Sequence, residues 1–137
     1  MAFGYELHPH TADIRISLWA ETFPELFQAA VVALAEILFP QGCEGRPLIV
    51  RRRVAVTAPD STALLVDFLS EVLLYSQIRK ALFCRFCPQS VQETFVEGKL
   101  RGCRVEGFQQ DIKAVTYHEA EVYRLSQGYG ARLIVDV

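Results

Sequence analysis

A chain of 137 residues, 51% hydrophobic and 22% charged, has the make-up of one globular domain that needs no metal or disulfide simply to hold a core. Its net charge of −2 argues against a protein whose main task is gripping a phosphate backbone. The N-terminal MAFGYELHPH lacks the pattern of a signal peptide, and Glu36, Asp67 and Glu71 interrupt the apolar segments Ala29–Phe39 and Leu64–Tyr75, so a cytoplasmic chain without membrane spans is expected.

Residues 3–8 read as a short strand, and His8-Pro9-His10-Thr11-Ala12 turns the chain. Asp13–Ala20 alternates with period two: Ile14, Ile16, Leu18 and Ala20 share one face, and Asp13, Arg15, Ser17 and Trp19 the other. A capping box, Thr22-Phe23-Pro24-Glu25, then opens a helix. Its apolar residues from Phe23 to Leu38 recur at helical spacing, and Pro40 and Gly42 stop it. Gln41–Pro47 is a loop.

Leu48–Ala58 reads as a long strand with Val50, Val54 and Val56 on one face, which Arg52 interrupts. Arg51-Arg52-Arg53 is the only charge run and suits a solvated strand edge. Asp60 and Ser61 cap a second helix with a broad stripe from Leu64 to Tyr75. Four strands follow, at Leu82–Gln89, Thr94–Val105, Ile112–Leu125 and Tyr129–Val137, the last two joined by a hairpin at Ser126-Gln127-Gly128. Two helices and about seven mostly antiparallel strands in a single domain make an α+β fold.

Four cysteines are present: Cys43, Cys84, Cys87 and Cys103. Cys84 and Cys87 have the spacing of a zinc or redox pair, but a zinc site wants a second close pair and a redox pair usually opens a helix. On a strand, three-residue spacing sends the two thiols to opposite faces. Reduced, structural cysteines are therefore expected.

Three segments carry unusual chemistry: His10-Thr11-Ala12-Asp13, the run Asp111–His118, and the terminal Ile134-Val135-Asp136-Val137. Asp136 and the Val137 carboxylate lie at the end of an apolar strand. Carboxylates brought together repel unless a proton or cation intervenes, and all-oxygen ligands favour calcium, magnesium or manganese. The simpler arrangement pairs Asp13 with Arg15 or Lys113. His10 and His118 suit ligands, bases or satisfied structural histidines. Asp67 and Glu71, four apart on the second helix, suit either a solvated face or the carboxylate pair of a metal-dependent hydrolase. The chain has no nucleophile motif, glycine-rich phosphate loop or H-E-x-x-H.

Taken in order, H-T-A-D at 10–13, the helix segment Leu64–Tyr75, D-I-K-A-V-T-Y-H at 111–118 and the final I-V-D-V resemble the archease family. The resemblance runs from about Tyr5 to Val137. It implies strand–helix–strand–strand modules and a non-enzymatic cytoplasmic activator of the RtcB-type RNA ligase, which uses GTP and manganese. Such an activator promotes ligase guanylylation and repeated turnover in tRNA splicing and RNA repair, and associates with tRNA only indirectly. The family's acidic metal positions fall on Asp13 and Asp136, and another acidic position on Asp111. Calcium is the leading cation, with magnesium or manganese as alternatives. Lys113 falls on a basic position that would serve the ligase or its nucleotide, and His10 and His118 match motif positions without being assigned as ligands. The competing function is an RNA-binding or chaperone-like module that modulates RNA processing without contacting the ligase; the acidic balance and the lack of a basic–aromatic stripe count against direct RNA contact.

Overall fold

A computed structural model describes residues 2–137. The period-two segment becomes a strand with Ile16, Leu18 and Ala20 buried and Trp19 42% exposed. In chain order the elements are β1 (Phe3–Pro9), β2 (Asp13–Ala20), α1 (Phe23–Leu38), β3 (Val50–Thr57), α2 (Ser61–Arg79), β4 (Ala81–Gln92), β5 (Phe95–Arg104), β6 (Ala114–Leu125) and β7 (Gly128–Asp136). The strands form two antiparallel sheets, one ordered β1-β2-β7-β6 and the other β3-β5-β4. The α+β expectation holds.

Both helices touch strands of both sheets, so they form a middle layer with the core on either side. This explains the composition of α1, whose buried residues run all round the helix from Leu26 to Leu38. Its capping box forms: the Glu25 N–H donates to Thr22 Oγ1 at 3.4 Å and the Thr22 N–H to Glu25 Oε1 at 3.1 Å. By length and composition α2 could cross a membrane, but Leu64, Leu65, Val66, Phe68, Leu69, Val72 and Leu73 are all buried between the sheets. Phe68 joins the layers, its ring 5.2 Å from Phe27 of α1 and 4.8 Å from Phe86 of β4.

The cysteine expectation is corrected. Cys43 and Cys84 form a disulfide across 41 residues of sequence. The β4–β5 register slips between Phe83 and Arg85, so Cys84 is an extra residue that leaves the regular pleat and meets the loop after α1. Cys103 is buried and free, and Cys87 is exposed and free. The bond ties the loop after α1 to β4.

The expected strand Ile112–Leu125 begins two residues late. Ile112 is fully buried, and its carbonyl accepts from Gln77 Nε2 of α2 at 3.1 Å. Gln109 and Gln110 donate to the Leu38 carbonyl at the end of α1, which anchors the approach to β6.

Candidate functional site

Register brings the three unusual segments to one end of the four-stranded sheet. Asp13 of β2 lies directly opposite Asp136 of β7, and Asp136 lies opposite Ala114 of β6. Directly opposed antiparallel residues have Cβ atoms about 4.5–5.5 Å apart and project to the same face. Backbone bonds secure the neighbours: the Lys113 N–H donates to the Asp136 carbonyl at 2.7 Å, Val137 N–H to Ala12 O at 3.1 Å, and His10 N–H to Asp13 O at 2.9 Å. Asp111 is exposed, two residues before Lys113 in the segment entering β6.

The two aspartates face each other without a cation from the protein. Among the described residues neither lies within ion-pair distance of a basic group. The simple pairing of Asp13 with Arg15 fails because Arg15 forks onto Glu119 at 3.3 and 3.4 Å. Asp13 Oδ1 is buried and lacks a hydrogen-bond partner among the described residues. An unpartnered buried carboxylate oxygen is costly, and an opposing carboxylate adds to the cost.

These residues fit a hard cation in charge and donor type, as a partial shell. Among the described residues no three His, Cys, Asp or Glu side chains converge as a complete cage. Asp13 and Asp136 would supply two side-chain carboxylates, and solvent or partner oxygens would fill a shell of six to eight.

A large bulge interrupts β6 farther along the same sheet. Thr116 pairs with Ile134 and Glu121 with Arg132, so four residues, Tyr117 to Ala120, stand against the single Leu133 of β7. Glu119, at φ 54°, folds back over the sheet to reach Arg15. The Arg15 guanidinium, by hydrogen bond and charge, holds the Glu119 carboxyl below the usual carboxylate range. Tyr117 turns the other way and donates its hydroxyl to Asp67 of α2. That bond to the carboxylate, then burial, pushes the Tyr117 phenol above its usual value. Asp67 is thereby partnered, and it and Glu71 have no third ligand group beside them among the described residues.

His10 and His118 are both exposed, so neither is a core histidine; His118 Nε2 lies 3.1 Å from Glu119 Oε2. The bulge, Glu119 and its bond to Arg15 had no signal in the sequence, because a four-against-one register follows no alternation rule.

The chain matches the Archease protein family over residues 5–137. The chain belongs to the archease family. It is 30% identical to the archease of Methanosarcina acetivorans over 97% of this chain and 95% of that one. It is 29% identical to the archease of Pyrococcus furiosus, covering 97% and 98% of the two chains. Among solved structures it is similar to a Methanobacterium thermoautotrophicum protein, with a TM-score of 0.83 and 27% identity over 98% and 99% of the chains. The archease of Thermotoga maritima, described as a possible chaperone, shares the fold at a TM-score of 0.67 and 19% identity over 96% of each chain. Three of the four ordered motifs of this archease-family chain thus coincide with the sheet end where Asp13 and Asp136 oppose one another.

Proposed function

We propose that this archease-family chain is a non-enzymatic activator of an RtcB-type RNA ligase, and that its contact with the ligase is the acidic end of the four-stranded sheet. The observation that supports this reading is the opposition of Asp13 and Asp136 with one carboxylate oxygen buried and unpartnered. The fold holds an uncompensated acidic pair in place, as a prepared cation site would require.

Asp13 and Asp136, with Val137 beside them, would hold a divalent cation, calcium first and magnesium or manganese as alternatives. The cation supplies charge that steadies the acidic end. Asp13 and Asp136 set the ligand positions through the β2–β7 register. Asp111 and Lys113 flank them, and Lys113 offers a cation to the ligase or its nucleotide. The exposed His10, Tyr117 and His118 form the rim that meets the partner. Contact stabilises the ligase conformation competent for guanylylation, so the ligase turns over repeatedly. The chain meets the ligase in the cytoplasm.

The test is reconstitution with ligase limiting relative to RNA. Wild-type chain is expected to give many turnovers per ligase, and Asp13→Ala or Asp136→Ala to cut turnover by about tenfold or more, the loss of ~1.4 kcal/mol or more of coupling. Undiminished turnover with both variants would sink the acidic-site mechanism.

A further inference from the structure

The three-stranded sheet presents a different outer face. Register sets Arg51 of β3, Arg101 of β5 and Arg85 of β4 side by side, and the next row holds Arg53, Lys99 and Cys87. The alternate residues Val54, Leu100 and Phe86 are buried, which fixes both rows on the outside. Neighbouring strands lie about 4.8 Å apart, and like charges directly opposite each other are unfavourable. Of these five cations only Arg53 has a carboxylate within ion-pair distance among the described residues, that of Glu97.

The surface is concave as well as basic. Arg51, Arg53, Lys99, Arg101 and Cys87 line a cavity of about 450 Å³, with Arg52 at its β3 edge. The Arg101 side chain reaches the Leu48 carbonyl at 3.4 Å, and its Nε is buried without a partner among the described residues. Farther along β5, Arg104 joins Arg46, Arg79 and Lys80 around a second cavity of about 850 Å³. The loop tied down by Cys43–Cys84 lies at that end, where the Cys103 thiol approaches the Gly42 carbonyl. The net charge of −2 conceals this segregation.

We propose that this face binds the phosphate backbone of RNA. Cations two residues apart along a strand are about 6.7 Å apart, comparable to the separation of successive phosphates along an extended nucleic-acid strand. Four of the five are arginines, whose planar forks match phosphate oxygens. The two rows carry no large apolar side chain of the kind that basic membrane-surface elements insert into lipid. The choice of RNA among polyanions rests on the ligase reading. Substrate held here, on the opposite sheet from the acidic end, leaves Asp13 and Asp136 free for the ligase.

The experiment uses the full chain without ligase. Anisotropy of a labelled single-stranded RNA of about 20 nucleotides, longer than the ~4–16 a small binding fold covers, is titrated at salt from about 50 to 200 mM. Contact with about four phosphates gives a log–log salt slope near −3. Arg51→Gln with Lys99→Gln is expected to weaken binding by about tenfold or more at the lowest salt and to flatten the slope by ~1.4. Arg124→Gln, on the other sheet, is expected to leave binding unchanged. Cys87 gives a second readout: RNA should slow its alkylation in the wild-type chain, because the thiol is exposed within the face.

Binding that ignores the double substitution overturns the proposal, as does absence of salt-dependent binding. Capture by phosphatidylserine vesicles without binding of RNA overturns it in favour of a membrane. Asp13→Asn and Asp136→Asn are expected to bind RNA normally even where they fail to activate ligase, so the two readings fail separately.

Discussion

The outer faces of the two sheets solve charge differently. On the four-stranded sheet most charges are matched: Arg15 with Glu119, Arg132 with Glu121, His8 beside Glu6. The exception is confined to one end, where Asp13 opposes Asp136. On the three-stranded sheet matching is the exception, with a row of three arginines and, among the described residues, only Arg53 paired among its cations. Opposed like charges cost roughly 0.2–1 kcal/mol per pair, so neither arrangement follows from stability alone. Unmatched carboxylates in a tight pair suit a small divalent ion, whereas cations spread over a concave sheet suit an extended polyanion.

The largest expected effect separates the sheets by rigidity. The disulfide closes 41 residues of chain, and the chain-entropy treatment assigns such a loop about 4 kcal/mol. Reduction, or Cys43→Ser, should lower the urea midpoint accordingly. Hydrogen exchange should then accelerate in β4 and β5 before β2 and β7; uniform acceleration would erase the contrast.

A charge swap at the acidic end should come next. Asp136→Lys places an ammonium opposite Asp13, and the metal-free protein should gain ~0.2–1 kcal/mol. Its thermal midpoint should cease to respond to calcium or chelator. The same kind of substitution should then have opposite signs on the two faces. Arg51→Glu, opposite Arg101, should stabilise by ~0.2–1 kcal/mol, and Arg132→Glu, opposite Glu121, should destabilise by a similar amount, both read from urea melts. Equal signs would mean that the neighbouring charges do not set the effect.

The smallest effect is a titration. The Glu119 carboxyl is lowered by Arg15, so its contribution is present above the ordinary carboxylate pKa and is lost as pH falls through the lowered value. NMR should find Glu119 titrating below a free glutamate, and Arg15→Gln should return it to the ordinary range.

Much of this contrast could be read from residues, and its decisive parts could not. Local rules carried the alternation of Asp13–Ala20, the capping box at Thr22 and the hairpin before Gly128, because each depends on neighbours in sequence. Asp13 and Asp136 were legible as candidates from motif order, but their opposition depends on the β2–β7 register. The arginine row was hidden for the same reason: Arg51, Arg85 and Arg101 meet only after β5 pairs on both sides. Cys84 was misread because an ideal strand has no place for the bulge that turns it toward Cys43.

The central claim, that opposed Asp13 and Asp136 form a cation site, is tested most directly by calorimetric titration of calcium into the full chain and into Asp136→Asn. One saturable site in the wild-type chain, lost in the variant, is the predicted result. No binding to the wild-type chain, or binding unchanged in the variant, would contradict it.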